Sequence, residues 1–306
     1  MSVIKEFLRY NRQMMLPEIG DSGQEKLKKA KVLVIGAGGL GCPVLQYIAT
    51  SGVGTIGIID FDKIELHNLH RQILYNENQV GKPKATKAKS VLETLNPLIN
   101  VTAFETKLTI ENAAQIIQDF DVVVDGCDNF ATRYLVNDTC LALGISLVYG
   151  SILKYEGQMA VFNHNGSKNL RDLFPEPPNP KDVPNCNLNG VMGTLPGIIG
   201  TMMAHETLKL IMDLPILENE LVLFNTLNWS LVMEFLSAPW WSALLAIILI
   251  DLVLAGDNAI VIALAARNLP PDLQKKAIFW GTVGAIGVRG AMTINLIRFR
   301  KKIITN

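Results

Sequence analysis

The sequence has no C-x-x-C pair, and its four cysteines (Cys42, Cys127, Cys140 and Cys186) fall at no regular spacing. That argues against a disulfide scaffold and against a cysteine zinc centre. Neither sign of charge prevails, with 28 Lys and Arg against 28 Asp and Glu. No basic field therefore points to nucleic acid, and no nucleic-acid partner is expected. Charged residues are scarce, 18% of the chain where about 25% is usual for a soluble domain, and the mean hydropathy is +0.26. An apolar excess must lie somewhere, and most of it follows residue 238. The opening stretch MSVIKEFLRYNRQ lacks a long apolar core. No signal peptide is expected, and the first 230 residues read as cytoplasmic. No internal repeat is found.

What is present is an alternation of short apolar runs with helical stretches. Lys31–Ile35 (KVLVI) ends in glycines, as a buried parallel strand does, and Leu40–Thr50 then reads as a helix. Strand-like runs recur at 55–60, 101–105, 121–125 and 146–149, with helical stretches at 83–95, 110–118 and 131–143. The expected fold class is α/β, a Rossmann-like doubly wound, mostly parallel sheet. A C-terminal antiparallel extension is expected from an added strand or hairpin at 152–162 and a strand at 221–225. Between them lie a Pro- and Asn-rich loop over 170–188 and a helix over 195–212.

Gly36-Ala37-Gly38-Gly39-Leu40-Gly41 is a G-x-G-x-x-G placed between strand and helix. Gly36, Gly38, Gly39 and Gly41 allow a tight turn and let backbone N–H groups approach phosphates at a helix N-terminus. Asp60, ending the next strand, is placed to bind ribose hydroxyls. These features alone fit NAD or FAD as readily as ATP. The residues that follow narrow the choice, because splitting ATP needs charge neutralised on its phosphates whereas hydride transfer needs few extra cations. Asp62 comes directly after, then Asn68-Leu69-His70-Arg71-Gln72, Gly81-Lys82-Pro83-Lys84, and Asp125-Gly126-Cys127-Asp128-Asn129.

This ordered set, with Arg9-Tyr10-Asn11-Arg12-Gln13 before it and Pro196-Gly197-Ile198-Ile199-Gly200 after it, resembles the MoeB/ThiF/HesA family, bacterial relatives of ubiquitin-activating enzymes. The resemblance implies an adenylyltransferase that joins the C-terminal glycine of a small ubiquitin-like sulfur-carrier protein to AMP, with release of pyrophosphate. It implies ATP and Mg²⁺ as cofactors, with Asp128 holding the metal. Gly39 would line the phosphate loop, Asp60 would hold the ribose, and Asn68, Arg71 and Lys84 would contact phosphates, with Asp62, Gln72 and Asn129 lining the nucleotide site. Arg12 matches an arginine that family members supply across a dimer interface, so a homodimer is implied. Cys186 matches a loop cysteine that some members use covalently in sulfur transfer, and a spare thiol remains the alternative. No general base is needed, since a carboxylate is already ionised at neutral pH. An NAD-dependent oxidoreductase on the same fold and a membrane-anchored regulatory protein stay open as other readings.

Two departures from the family pattern stand out. Where members carry the first of two zinc-binding cysteine pairs, this chain has Asn169-Leu170-Arg171-Asp172, and no cysteine follows Cys186. No zinc is expected, and Asp172 pairing with Arg171 or a nearby cation could hold the loop instead. The second departure is Trp240–Ala266, whose only polar members are Ser242, Asp251, Asp257 and Asn258. Such a run exceeds the roughly 20 residues that cross a bilayer. Residues 233–293 resemble the start of a TerC-type integral membrane protein. The expected organisation is therefore an adenylyltransferase domain over 1–231, an inserted apolar helical hairpin over 232–293, and the domain's final strand over 294–306. A membrane association through 240–290 follows as an option from the hairpin.

Overall fold

KVLVI forms the strand that the sequence predicts, β1 (Lys31–Ile35), with its four apolar residues all buried. There is no polar alternation because both faces of the strand are covered. Val32 and Val34 enter one hydrophobic core, while Leu33 and Ile35 enter the other. Each such side chain contributes about 1.5–3 kcal/mol relative to leaving it in water.

The computed structural model describes residues 2–178 and 190–235, together with Lys276. Its backbone divides into two units, Met1–Leu236 and Ser237–Asn306, and every strand of the sheet belongs to the first. Two helices precede β1, α1 (Ser2–Met14) and α2 (Gly20–Lys29). After β1 come α3 (Gly41–Thr50), β2 (Thr55–Ile59), α4 (Lys84–Leu95), β3 (Asn100–Phe104), α5 (Ile110–Ile117), β4 (Val122–Asp125) and α6 (Phe130–Leu143). Then follow β5 (Ser146–Leu153), β6 (Glu156–Phe162), α7 (Leu170–Leu173), α8 (Thr194–Ile211), β7 (Glu220–Asn225) and β8 (Ser230–Phe235).

The sheet order is β3-β2-β1-β4-β5-β6-β7-β8. The first five strands are parallel, and β6, β7 and β8 add antiparallel pairs. Residues of α2, α3, α4 and α8 fill the core on one face, and those of α5, α6 and α7 fill the core on the other. This is the doubly wound, mostly parallel sheet with an antiparallel extension that the sequence implies. The chain turns from β2 to β4 about β1, so the crevice at the carboxyl ends of β1 and β4 is the topological switch point where such folds bind ligands.

The antiparallel extension differs in detail from the expectation. β5 runs on to Leu153 and turns at Lys154, whose φ is 55°, so the hairpin is β5 folding back on β6 rather than a separate strand beginning at 152. β8 includes residues 232–235, pairing Val232 with Leu223 and Phe235 with Glu220. The remainder of the hairpin expected over 232–293, and the strand expected over 294–306, lie outside the described residues apart from Lys276. Among the described residues no helix is long and apolar enough to cross a membrane.

Candidate active site

The glycine loop leaves β1 in a turn that Gly36 enters with φ of +87°. The Gly36 N–H donates to the carbonyl of Ile59 at 2.9 Å, which ties the loop to the end of β2. A methyl group on Gly41 would lie 1.9 Å from the Gly36 carbonyl oxygen. The loop therefore closes upon itself so tightly that only hydrogen fits there.

Asp60 braces this loop from the next strand. Its Oδ2 accepts from the Ala37 N–H at 2.8 Å, and its Oδ1 accepts from the Asp62 N–H at 2.8 Å. Burial raises the carboxyl's pKa, opposed by Lys84 and by the two backbone N–H groups. Asp62 in turn meets the NLHRQ–GKPK side of the site: Lys84 Nζ lies 2.9 Å from Asp62 Oδ2, and the Lys84 N–H donates to the Asp62 carbonyl at 2.9 Å. Lys84 is buried although it is charged, so its ammonium stays near this carboxylate. Tyr75, which no spacing in the sequence singles out, donates from its hydroxyl to the Ala37 carbonyl at 2.8 Å, with the Lys84 carbonyl at 3.3 Å. A buried tyrosine hydroxyl thus joins the glycine loop to the start of α4.

The NLHRQ segment packs against the loop as well. Asn68 and Gln72 are buried, and the Gln72 amide faces Gly38, its nitrogen 3.6 Å from where a Cβ would stand. Gln72 Oε1 has no hydrogen-bond partner among the described residues, leaving polar capacity for a ligand. Arg71 lies beside Gly39 and Pro196 at the start of α8, and its Nη1 donates to the His67 carbonyl at 3.1 Å. Glycine loop, Asp60–Asp62, NLHRQ, Lys84 and the start of α8 are thereby one assembly.

The DGCDN segment arrives from β4. The Gly126 N–H donates to the Ile35 carbonyl at 2.9 Å, so this segment lies against the end of β1. Asn129 caps α6, its Oδ1 accepting from the Thr132 N–H at 2.9 Å. Asp128 is exposed, and it makes no ion pair or side-chain hydrogen bond among the described residues. A cleft of about 550 Å³, lined by Leu108, Thr109, Asn129, Thr132, Leu135 and other residues of the same two segments, opens beside Asn129. Among the described residues no group of three or more His, Cys, Asp and Glu is placed to hold a metal by itself.

Arg12 stands apart from this assembly. Tyr10 and Gln13 on the same helix are inward anchors: the Tyr10 hydroxyl accepts from Asn96 Nδ2 at 2.8 Å, and Gln13 Nε2 donates to the Ser51 carbonyl at 2.9 Å. Arg12 between them is exposed and has no ion pair among the described residues.

The residues standing where family members have a cysteine pair form a hydrogen-bonded cap. The Asn169 N–H and its Nδ2 both donate to Asp172 Oδ2, at 2.8 and 2.7 Å, and Asn169 Oδ1 accepts from the Arg171 N–H at 2.8 Å. The expected Asp172–Arg171 pair does not form, because Arg171 turns to α6 instead. Its Nε and Nη2 grip Asp138 at 2.7 and 2.8 Å, and its guanidinium lies 4.9 Å from the Tyr134 ring. Arg171 holds the Asp138 carboxyl below its usual range. Cys186 lies outside the described residues. Cys42, Cys127 and Cys140 are buried, and burial pushes the thiols of Cys42 and Cys140 up to about 12 and raises that of Cys127 as well, so all three are protonated and inert at neutral pH.

Residues 10–239 match the ThiF family, and residues 236–303 match the Integral membrane protein TerC family. A Sulfur carrier protein adenylyltransferase of Thermus thermophilus is 49% identical over 232 residues, spanning 74% of this chain and 86% of the relative. The Adenylyltransferase and sulfurtransferase MOCS3 of Anopheles gambiae is 50% identical over 221 residues, spanning 72% of this chain. The chain spans only 50% of the length of that second relative. Among solved structures, E. coli MccB with ATP superposes with a TM-score of 0.66 at 22% identity, over 75% of this chain and 71% of that one, a likeness of fold.

Proposed function

The chain belongs to the ThiF family, and from that premise we propose that it is an adenylyltransferase acting on the C-terminal glycine of a small ubiquitin-like sulfur-carrier protein. A carboxylate oxygen of the carrier attacks the α-phosphorus of ATP. The α–β phosphoanhydride bond breaks, pyrophosphate leaves, and an acyl adenylate remains on the carrier. The observation that carries this reading is that two cations stand by one glycine loop: Arg71 lies against Gly39, and the buried Lys84 pairs with Asp62, next to the Asp60 that braces Ala37. A dinucleotide site has less use for cations so placed, since hydride transfer develops no comparable charge on phosphate.

Each residue takes a role that its placement supports. The N–H groups over Gly36–Gly41 cradle phosphate at the start of α3. Asp60, held rigid by two N–H donors, presents its remaining lone pairs to the ribose, with Asp62 beside it. Asn68, Arg71, Gln72 and Lys84 serve the phosphates, and the cleft beside Asn129 suits the rest of the nucleotide. Mg²⁺ sites use one or two carboxylates together with phosphate oxygens and water, and Asp128 offers a free carboxylate of that kind. Asp128 would hold the ion, which when bound neutralises phosphate charge. The carrier carboxylate is already ionised, so catalysis is placement and charge neutralisation. Arg12 is proposed to serve the site of a second copy in a homodimer, which accounts for an arginine pointing to solvent between two anchored neighbours. The enzyme unit is assigned to the cytoplasm, and the TerC-like segment to a passenger that could tether it to a bilayer.

The test is ATP–pyrophosphate exchange by the full chain with purified sulfur-carrier proteins of both the thiamine and molybdopterin type. Exchange that appears only with a carrier ending in glycine is expected. No exchange, with tight NAD binding instead, would favour the oxidoreductase. Deleting 240–293, which leaves β8 and the whole ThiF-matching stretch in place, should leave carrier-dependent exchange unchanged while raising solubility, and loss of exchange would show that the segment is part of the enzyme. Cys186→Ala should keep full exchange and lose only downstream sulfur transfer, and loss of both would assign that residue to the architecture of its loop.

A further inference from the structure

The DGCDN segment begins with one half of a buried ion pair that the proposed chemistry does not use. Asp125, at the end of β4, is wholly buried, and Arg133, on α6, is 5% exposed. Arg133 Nε stands 3.6 Å from Asp125 Oδ2, and the guanidinium lies 4.7 Å from the Tyr149 ring on β5. The pair is imperfectly satisfied: neither Asp125 Oδ2 nor Arg133 Nη1 has a hydrogen-bond partner among the described residues. A buried pair of this quality is a poor source of stability, because the cost of taking two charges out of water rivals their attraction. Its geometry suggests another use.

The two residues hold one backbone unit from both sides. Asp125 Oδ1 accepts from the Cys127 N–H at 2.9 Å, and Arg133 Nη2 donates to the Cys127 carbonyl at 2.7 Å. The next residue is Asp128, exposed and anchored by no side-chain contact of its own among the described residues. The peptide between Gly126 and Cys127 also packs on the glycine loop, with the Gly126 oxygen 3.1 Å and the Cys127 nitrogen 3.4 Å from where a Cβ of Gly36 would stand. Two side chains thus hold the Cys127 main chain, and with it the start of Asp128, against Gly36 of the glycine loop.

We propose that Arg133 and Asp125 are positioning residues which, by gripping the Cys127 N–H and carbonyl, set where Asp128 stands relative to the phosphate loop. This inference rests on the assignment of Asp128 to Mg²⁺ above. Arginine is suited to the task because one planar group reaches the carboxylate, the carbonyl and the aromatic face together, whereas lysine offers a single point charge.

The test uses the full chain with a fluorescent ATP analogue titrated against Mg²⁺, alongside hydrogen exchange of the amides over 126–129. Three variants are compared: Arg133→Lys, the charge-neutral pair Asp125→Asn with Arg133→Gln, and Asp128→Asn. Removing both charges together avoids the stranded buried charge that could unfold a single variant. Arg133→Lys and the neutral pair are expected to need roughly tenfold more Mg²⁺ to tighten nucleotide binding, a loss in keeping with displacement of about an ångström or less at a placed group. Amide exchange over 126–129 should rise while exchange in β1 and β4 does not. In the Asp128→Asn background the neutral pair should add no further loss, since coupled residues are non-additive. Unchanged exchange over 126–129 in the neutral pair overturns the inference, and so does a full additional loss in the Asp128→Asn background. Wild-type Mg²⁺ dependence in Asp128→Asn alone would overturn the metal assignment instead, and the loop amides would still decide whether the clamp acts.

Discussion

Gly41→Ala is expected to yield little or no soluble protein, and whatever is recovered should fail to bind ATP. The added methyl would sit 1.9 Å from the Gly36 carbonyl oxygen and 2.9 Å from its carbon, both of them backbone atoms. Gly36 cannot retreat, because its own φ of +87° and its hydrogen bond to Ile59 fix it against β2. The first turn of α3 cannot retreat either, since Cys42, Val44 and Leu45 behind it are fully buried. Overpacking in a dense core typically costs about 1–3 kcal/mol when side chains can adjust. Here only main chain could adjust, which puts the loss at about 4–5 kcal/mol or more, a large part of the roughly 5–15 kcal/mol typical of a folded domain. Gly81→Ala is the control: Gly81 also has a positive φ, +83°, but open space where its Cβ would go, so only about 1–2 kcal/mol of strain is expected. Thermal unfolding and ATP titration of the two variants check this. A Gly41→Ala protein with the parent's melting temperature and ATP affinity would refute the tight closure of the loop.

Arg71→Ala and Asp128→Ala are expected to abolish carrier-dependent pyrophosphate exchange, a fall of about 10²–10³-fold or more for each, while the protein stays folded. The reason for the second half is structural. Asp128 is exposed and makes no side-chain hydrogen bond among the described residues, and Arg71 donates only to the His67 carbonyl and stands near His70 Nδ1 at 3.5 Å. Substitution at the exposed Asp128 changes stability within about 0.5 kcal/mol, and the half-buried Arg71 gives up one side-chain hydrogen bond to a carbonyl, about 1 kcal/mol. Circular dichroism and thermal unfolding measure the fold, and radiolabelled pyrophosphate exchange measures the chemistry. Near-normal exchange in either variant would remove that residue from the proposed machinery. Lys84→Ala is a less clean probe, because it would also strand Asp62 and disturb the start of α4.

The parallel strands are legible in the sequence because the stretch of a strand covered on both faces must be apolar, as in Val32–Ile35 of β1 and Val122–Val124 of β4. The glycine motif is legible because a turn that closes on its own backbone tolerates only one residue type. α2 is not, since Leu27 is the one large apolar residue in Gly20–Lys29, and the docking of α1 is not, since Tyr10 and Gln13 fasten it to Asn96 and Ser51, far away in the chain. The partner of Arg171 escapes sequence reasoning for a related reason. The carboxylate next to it, Asp172, is consumed by the N-terminus of α7, while Asp138 arrives from another helix at bonding distance.

What the sequence determined by itself was the alternation of strands and helices and the order of the motifs that carry the family resemblance, since each motif rests on residue types at short spacing, where local geometry dictates the choice. What only the tertiary structure decided was which groups hold which. Tyr75 bonds to Ala37, Asp60 to the glycine loop, and Arg133 to the carbonyl of Cys127. Those pairings depend on how strands and helices bring distant side chains within about 3 Å, the range over which a hydrogen bond has strength, and no spacing along the chain encodes that distance.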